Sequence, residues 1–507
     1  MPDHNFHTPS IKIEWRSRHA YLILLFSLAA VFLFSNLWIG DLGLDSCAYA
    51  TISRSILRTN DWIVPHYQHC QEFSDCWLHP PLFYWMTALS FKIFGVNEFA
   101  ARFISALLGV GTVLLVYMMG LRVSRSYRIG FLSGFVLLFT QPFLDLSRKC
   151  QLDVPLAFFI TLSMFTFVLA IQKNEKYYIL TGLFTGLAVL TKGLPAFSIL
   201  GIIFLYFLLK GDFKFFIRPP FYILLLLVIL TLCIWIIPLI SVGKFKNFIS
   251  GYFVGQIWTN LSGTESAGKV NFWATIQDYF WYITILAKRY WPWFPFLLLS
   301  IYFGFKRLRV KKILLVFMLW IFILIFSFSL GETKFYRYLA PVYPASAVLI
   351  GVVLGEKISE KVFKAVLNFS LIFLLTVLVA TSIFPLYFGR INAPDKTEIK
   401  KFSPYIKQIT KKDQFISVYR MNYWGAVADF AFYVDRPVKD YHTEESFSLS
   451  MHRDTSFGYI KKQDYEALSK EFKKSYLPVA ATENFLLITP VQNIKSLQQR
   501  MFPVFIY

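Results

Sequence analysis

Long apolar blocks alternate with short polar connections over the first three quarters of the chain. Most of them approach the roughly 20 residues that carry a helix across the hydrocarbon core of a bilayer. About eleven such blocks can be placed, at residues 20–40, 100–119, 130–144, 154–171, 177–191, 195–209, 221–241, 292–305, 313–330, 336–354 and 364–386. The pattern therefore predicts an all-α polytopic membrane protein with about eleven transmembrane helices.

The tail has a different pattern, because charged residues become frequent and short helix-like and strand-like runs alternate from about residue 395. Helices are predicted at 396–410, 422–433 and 463–474, and strands at 415–419 and 485–489. This alternation is typical of a small α/β domain. We expect two domains, a membrane domain over 1–386 and a C-terminal domain over 387–507.

Basic residues gather before the first block and in the connections after the second, fourth, sixth, eighth and tenth blocks. Lysine and arginine mark the cytoplasmic side of a membrane protein. The alternation predicts a cytoplasmic N-terminus and an extracytoplasmic C-terminus. It also places two long connections, 41–99 and 242–290, on the outer side.

Composition excludes an ordinary soluble protein: apolar residues make up 56% and charged residues 16%, and the mean hydropathy is +0.52. Soluble domains are usually about a quarter charged. The net charge of +21 would suit nucleic acid, but no basic stripe lies in a soluble module, so we expect no nucleic-acid partner. The cations are expected to meet anionic membrane lipids instead.

Polar residues of the first outer connection suggest chemistry at the outer face. Asp45 follows the first block and opens an amphipathic stretch at 48–57, with Tyr49 one helical turn later. His79 precedes a second re-entrant or interfacial helix at 80–94. The simpler interpretation of Asp45 is a solvated helix end, and that of His79 is a hydrogen-bonded loop histidine.

Cations at the outer ends of apolar blocks run against the positive-inside trend. Lys192, Lys334 and Arg337 lie there, and an anionic ligand would explain them. The alternatives are a snorkelling Lys192 and an ion pair of Arg337 with Glu332 or Asp153. Asp153 itself is expected to pair with Arg148 or to contribute to a substrate site, since a lone carboxylate at a helix centre costs on the order of 3 kcal/mol.

An ordered set of motifs on this one face resembles the integral-membrane glycosyltransferases of the GT-C class. The nearest branch is that of the protein O-mannosyltransferases and the aminoarabinose transferases that act on lipid A. The resemblance covers about residues 41–345. Its motifs are Asp45 with Tyr49, NDWIVPH at 60–66, HPPLFYW at 79–85, Arg102, Ser147-Arg148 with Asp153, LTKG at 190–193, Pro292-Trp293 and KFYRYLAPVYP at 334–344.

The resemblance implies an inverting hexosyl- or pentosyltransferase in a bacterial plasma (inner) membrane. Its donor would be a polyprenyl-phosphate-linked sugar, and its acceptor lipid A, another glycan or a protein at the outer face. Asp45 matches the family's catalytic acid. Substrate-binding roles are implied for Tyr49, His79, Arg148, Asp153, Lys192, Lys334 and Arg337.

Three positions depart from the aminoarabinose branch. Ser46 and Ala48 stand where that branch has Glu and Arg, and His79 stands where it has Lys. These differences bear on the sugar and the acceptor rather than on lipid-linked transfer in general.

Neither a cofactor nor a metal site is expected. His66, His69, Glu72 and His79 match no standard metal spacing, and a divalent cation bound by Asp45 is the alternative. An oxidising compartment allows a short disulfide between Cys70 and Cys76, and the alternatives are free thiols or a link through Cys47.

A lipid transporter or flippase is the competing class of protein. Carriers place charged or broken helices near the bilayer midplane and show repeated halves, and ATP-driven ones need a phosphate-binding loop. The sequence has no Walker motif and no such repeat. The enzyme hypothesis is therefore preferred.

Overall fold

A computed structural model describes residues 11–67, 75–258, 272–308, 311–331, 333–384, 398–412, 414–421, 427–453 and 457–498. The predictions of a mostly helical membrane protein and of a small C-terminal sheet are both confirmed. The helices before residue 385 are α1 (Ile11–Phe34), α2 (Leu44–Thr59), α3 (Leu82–Phe94), α4 (Glu98–Ser124), α5 (Tyr127–Leu138), α6 (Gln141–Ser147), α7 (Asp153–Gln172), α8 (Tyr177–Lys192), α9 (Ser198–Lys210), α10 (Pro219–Ser241), α11 (Phe245–Phe248), α12 (Phe272–Arg289), α13 (Trp293–Arg307), α14 (Leu314–Ser329), α15 (Tyr343–Lys357) and α16 (Glu360–Ile383).

Each predicted apolar block coincides with one of these helices or with two consecutive ones. The third block is the pair α5 and α6, bent by 69°. The sixth and tenth blocks begin as 3₁₀ helices, Leu194–Phe197 and Tyr336–Val342. Within the described residues, five helices are long and apolar enough to cross a membrane, or six with the bent pair. The count of eleven spans stays a prediction.

Contacts between residues divide the chain into two compact units. The first contains residues 1–35, 105–148 and 152–385, and the second contains 36–104, 149–151 and 386–507. The first outer connection therefore groups with the C-terminal residues rather than with the other helices.

In the first unit, α8 packs against two helices through two different small-residue faces. Ser163 and Thr185 share a hydrogen bond of 2.8 Å between α7 and α8. On the other side, a Cβ at Gly182 would lie 2.3 Å from the Leu224 carbonyl oxygen of α10. Glycine at this position thus lets the two backbones approach closely, as small residues do in membrane helix pairs.

The second unit combines α2 and α3 with a five-stranded sheet in the order β2-β1-β3-β5-β4. Strand β1 pairs in parallel with β2 and β3, whereas β5 lies antiparallel between β3 and β4. The elements are α17 (Glu398–Ile409), β1 (Ile416–Tyr419), α18 (Ala428–Tyr433), β2 (Val438–Tyr441), α19 (Glu444–Arg453), β3 (Gly458–Lys461), α20 (Lys462–Ala467), α21 (Lys470–Ser475), β4 (Tyr476–Ala481), β5 (Phe485–Pro490) and α22 (Val491–Gln498).

The predicted α/β class of the C-terminal residues is correct, but the prediction missed several of their strands. Helix α17 and strands β1 and β5 lie where they were expected. The predicted helix at 463–474 is two short helices, α20 and α21, and strands β2, β3 and β4 were not foreseen. Residues 422–426, the start of another predicted helix, lie outside the described residues.

Arg102 organises the backbone that leads into α2. Its guanidinium donates hydrogen bonds to the carbonyl oxygens of four nearly consecutive residues: Leu37, Ile39, Gly40 and Asp41. The side chain is buried, so these carbonyls have a donor where water is scarce. These contacts with backbone carbonyls give Arg102 a structural role in the second unit.

A buried carboxyl lies on α18 of the second unit. Asp429 is 2% exposed, and its side chain hydrogen-bonds with Cys47 of α2. Burial raises the pKa of Asp429 to about 6, the Cys47 hydrogen bond opposes that shift, and the nearby Asp41 carboxylate adds to it. The charged form is therefore disfavoured in the folded protein.

We expect the stability of the full-length protein to depend on pH through Asp429. Because the folded pKa lies above the unfolded value, the contribution of Asp429 is present below about pH 4 and is lost as the pH rises through about 6. Asp429→Asn should remove this component. Thermal unfolding in detergent from pH 4 to 7 measures it, and identical pH profiles of the variant and the natural protein would contradict it.

Candidate functional site

Three predicted site residues lie together in the second unit. Asp45 is in the first turn of α2, where the helix dipole favours a carboxylate. Tyr49 follows one turn later, so it shares a face of α2 with Asp45. The Tyr49 ring centroid lies 6.0 Å from that of His79 and 6.2 Å from that of Tyr84. Within the first outer connection, the Asp45–Tyr49 motif therefore packs against the HPPLFYW motif at 79–85.

The buried acid of the first unit has a different partner from the one predicted. Asp153 opens α7, Lys192 ends α8, and their side chains form a buried ion pair. The expected pair of Asp153 with Arg148 is wrong. The reason is topological: α7 and α8 are joined by four residues, so the first residue of α7 and the last of α8 lie at the same end of the hairpin.

Arg148 instead satisfies backbone carbonyls at the end of α1. It donates to the carbonyl oxygens of Phe32 and Ser35, both at 2.6 Å. The last carbonyls of a helix have no partner within the helix, and a cation near them is also favoured by the helix dipole. These contacts assign Arg148 a structural role in the first unit.

The segment 334–338 alternates cations with aromatic rings. The Arg337 guanidinium lies 4.3 Å from the ring centroid of Phe335, and the Lys192 ammonium lies 4.6 Å from that of Tyr338. Lys334 is half-buried just before this 3₁₀ helix. The rings hold both cations in place through cation–π contacts.

A cation that sequence reasoning missed lies beside this segment. Arg289 ends α12, and its exposed guanidinium lies 4.2 Å from the ring centroid of Tyr336. The Tyr336 hydroxyl donates to Asp145 at 3.1 Å. Among the described residues, Arg289 forms no ion pair. In the predicted topology Arg289 lies at the end of an outer connection. The criterion that singled out Lys334, a cation at the outer end of an apolar block, would therefore also have found Arg289.

Gly193 closes the turn after α8 and the LTKG motif. Its φ is +74°, and a Cβ there would lie 1.9 Å from the Tyr252 hydroxyl oxygen. That hydroxyl donates to the Lys192 carbonyl oxygen at 3.0 Å and accepts from the Leu194 backbone N–H at 3.1 Å. The turn that fixes Lys192 therefore requires glycine.

An apolar groove runs between α12, α13 and α14 of the first unit, with a volume of about 670 Å³. Phe280, Ile283 and Leu286 of α12 line it. Arg289 follows Leu286 by three residues, about one helical turn. The same helix thus presents an apolar track that ends in a cation.

The described residues contain no group of three or more histidine, cysteine or acidic side chains arranged to hold a metal ion. His66 is bound between Asp61, at 2.7 Å, and Asp75, at 3.4 Å. His69 and Glu72 of the metal hypothesis, and Cys70 of the disulfide hypothesis, lie outside the described residues.

Comparison with known proteins gives a consistent family. The family described as dolichyl-phosphate-mannose-protein mannosyltransferase matches residues 78–237. An uncharacterised Aquifex aeolicus protein is 32% identical over 66% of this chain and 73% of its own length. The structure of ArnT from Cupriavidus metallidurans bound to undecaprenyl phosphate superposes with a TM-score of 0.73, at 17% identity, over 92% of this chain and 98% of that one. The chain belongs to the GT-C glycosyltransferases.

This GT-C protein also resembles a curated transferase of a named reaction. The undecaprenyl phosphate-α-4-amino-4-deoxy-L-arabinose arabinosyl transferase 1 of Sodalis glossinidius is 25% identical over 60% of this chain. The chain spans about half the length of that relative, 53%. The resemblance stated from the motifs is confirmed, as is the multi-pass membrane class.

Gly193→Ala should destabilise the protein by about 2 kcal/mol or more, because a side chain there meets both an unfavourable backbone conformation and the Tyr252 hydroxyl. Gly95→Ala is the control, since Gly95 also lies outside the left-handed helical region, with a φ of +76° and a ψ of +167°, and the nearest atom to its Cβ position is 3.8 Å away. Thermal unfolding of both variants in detergent measures the difference. Equal destabilisation would show that the Tyr252 contact is unimportant.

Proposed function

We propose that this protein transfers a sugar from a polyprenyl-phosphate-linked donor to an acceptor. The observation that carries the proposal is the layout of α12, whose groove-lining residues lead to Arg289, which contacts Tyr336 in the cation-bearing segment 334–338. A long isoprenoid needs an apolar track, and its phosphate needs cations at the end of that track. The groove and the cations offer both within the first unit.

The proposed reaction is an inverting displacement at the anomeric carbon. An acceptor oxygen attacks that carbon, the bond to the phosphate oxygen breaks, and the electron pair leaves with the polyprenyl phosphate. Negative charge grows on the phosphate, and fixed cations stabilise that change. We assign this task to Arg289, Lys334 and Arg337, with Lys192 held in place by its pair with Asp153.

The acceptor proton requires a base, and we assign that role to Asp45. A carboxylate in hydrogen-bond reach of the attacking hydroxyl contributes to catalysis by removing its proton. Tyr49 and His79 stand beside Asp45 on the same part of the second unit, and we assign them to substrate binding. The chemistry needs no cofactor, and a divalent cation bound by Asp45 is the alternative to test by chelation.

The proposed setting is the outer face of a bacterial plasma membrane, with a cytoplasmic N-terminus and an extracytoplasmic C-terminus. Support comes from the distribution of basic connections along the chain. The sugar is a pentose or a hexose, and the acceptor is lipid A, another glycan or a protein. Ser46, Ala48 and His79 distinguish this chain from the aminoarabinose branch in the first outer connection.

Mass spectrometry of lipid A and surface glycans, with and without the gene, tests the proposal. Loss of one sugar residue from one acceptor would name both the donor sugar and the acceptor. Unchanged glycans together with a changed distribution of lipid between the leaflets would contradict the proposal and support the transporter alternative.

Arg289→Ala should weaken the binding of polyprenyl phosphate by about tenfold or more, since it removes a charge-assisted contact. Lys288→Ala is the matched control, because Lys288 is the adjacent exposed cation and forms no ion pair within the described part of the chain. Equilibrium binding of a labelled polyprenyl phosphate to the purified protein measures both. Equal effects of the two substitutions would contradict a specific role for Arg289.

Asp45→Asn should reduce the transfer rate by about a hundredfold or more, because the amide cannot accept the acceptor proton. Binding of polyprenyl phosphate and membrane insertion should not change. Single-turnover assays with a lipid-linked sugar measure the rate. Normal transfer by the variant would remove Asp45 from the catalytic role.

A further inference from the structure

Helix α2, which carries Asp45, is held along its length by the C-terminal part of the second unit. Arg54 of α2 is buried and donates to the carbonyl oxygens of Ala431 and Phe432, at 2.8 and 2.9 Å. These are the last carbonyls of the short helix α18, which need a donor from outside that helix. Arg54 also contacts the Asp435 carboxylate at 3.1 Å.

Asp435 also forms an ion pair with a second arginine of α2. Arg58 lies one turn beyond Arg54 and forms an ion pair with the other carboxylate oxygen of Asp435. Burial lowers the pKa of the Arg54 guanidinium to about 10, and Asp435 opposes that shift, so Arg54 remains charged at neutral pH. A single carboxylate thus joins two turns of α2 to the end of α18.

The backbone around Asp435 is itself fixed. Asp435 has a φ of +60°, a conformation that an L-residue adopts at a cost. The next residue, Arg436, is buried and donates to the carbonyl oxygens of Lys407 and Thr410 at the end of α17. Asp435 is therefore presented to α2 from a rigid junction between α17 and α18.

The other end of α2 has its own contacts with the same elements. Lys400 of α17 lies 3.3 Å from the Asp41 carboxylate and 2.6 Å from that of Glu98. The Leu42 backbone N–H donates to the Tyr433 hydroxyl of α18 at 3.0 Å. Residues on both sides of Asp45 are consequently held by C-terminal side chains.

We propose that the C-terminal domain positions the Asp45 helix for catalysis, with Asp435 as the positioning residue that acts through Arg54 and Arg58. The inference rests on the proposed function, because it assigns the domain a part in the same reaction. Displacing a catalytic group by about 1 Å costs on the order of a hundredfold in rate, so the loss of one brace should cost less.

Asp435→Asn is the informative change, because asparagine tolerates the left-handed conformation and keeps the shape while removing the charge. We expect kcat to fall by about tenfold, with the KM for the lipid-linked donor unchanged. Asp464→Asn changes a C-terminal acid of α20 that forms no ion pair with the residues the structure describes, and it should leave both constants unchanged. An unchanged kcat in Asp435→Asn would overturn the proposal.

A double-mutant cycle with Arg58→Gln tests the mechanism and provides a milder variant if Asp435→Asn folds poorly. The two substitutions should be non-additive in kcat, since both remove the same contact. Additive losses would show that Asp435 acts by another route and would overturn the proposal.

Hydrogen exchange separates this inference from the proposed function. The amides of α2 should exchange several-fold faster in Asp435→Asn than in Asp464→Asn. If the natural protein transfers no sugar but this difference persists, the proposed function fails and the bracing of α2 stands. If the natural protein is active and α2 exchanges equally in both variants, the positioning role fails.

Discussion

Buried backbone carbonyls at helix ends must find hydrogen-bond donors, and much of this structure depends on arginines that supply them. Arg148 does so at the end of α1, Arg102 in the segment before α2, and Arg54 at the end of α18. A guanidinium offers five donors in a fixed plane, so one side chain satisfies several carbonyls at once. Within each of the two units, these contacts hold helix ends, or the segment before a helix, in place.

The groups assigned to the proposed transfer lie on different elements. Helix α12 supplies an apolar track and Arg289, the segment 334–338 supplies aromatic-supported cations, and α2 supplies a carboxylate. Lys192 forms a buried ion pair with Asp153, which compensates its charge. The pair therefore fits a fixed, net-neutral wall, whereas Arg289, which forms no ion pair among the described residues, is available to an anion.

The sequence predicted the helices and the residues that share one face of α2 well, because the length of an apolar run and the spacing of residues along a helix are local signals. Asp45, Tyr49 and the helix that follows His79 lie as expected. Arg148 was wrongly predicted as the partner of Asp153, because nothing in the sequence shows that an arginine will bind backbone carbonyls. Lys192 can be recognised as the partner only once α7 and α8 are known to form a hairpin. The short strands β2 to β4 were missed because neither long apolar runs nor strict alternation mark them. Arg289 was missed although it lies at the end of an outer connection, where the signal used for Lys334 also applies.

Donor turnover by the purified protein tests the central claim most directly. The protein would be reconstituted in vesicles with a radiolabelled polyprenyl-phosphate sugar and a detergent extract of envelope acceptors. The account predicts that free polyprenyl phosphate appears in step with label on an acceptor. A donor that stays intact in the presence of folded protein, across extracts that contain lipid A, glycans and proteins, would contradict it.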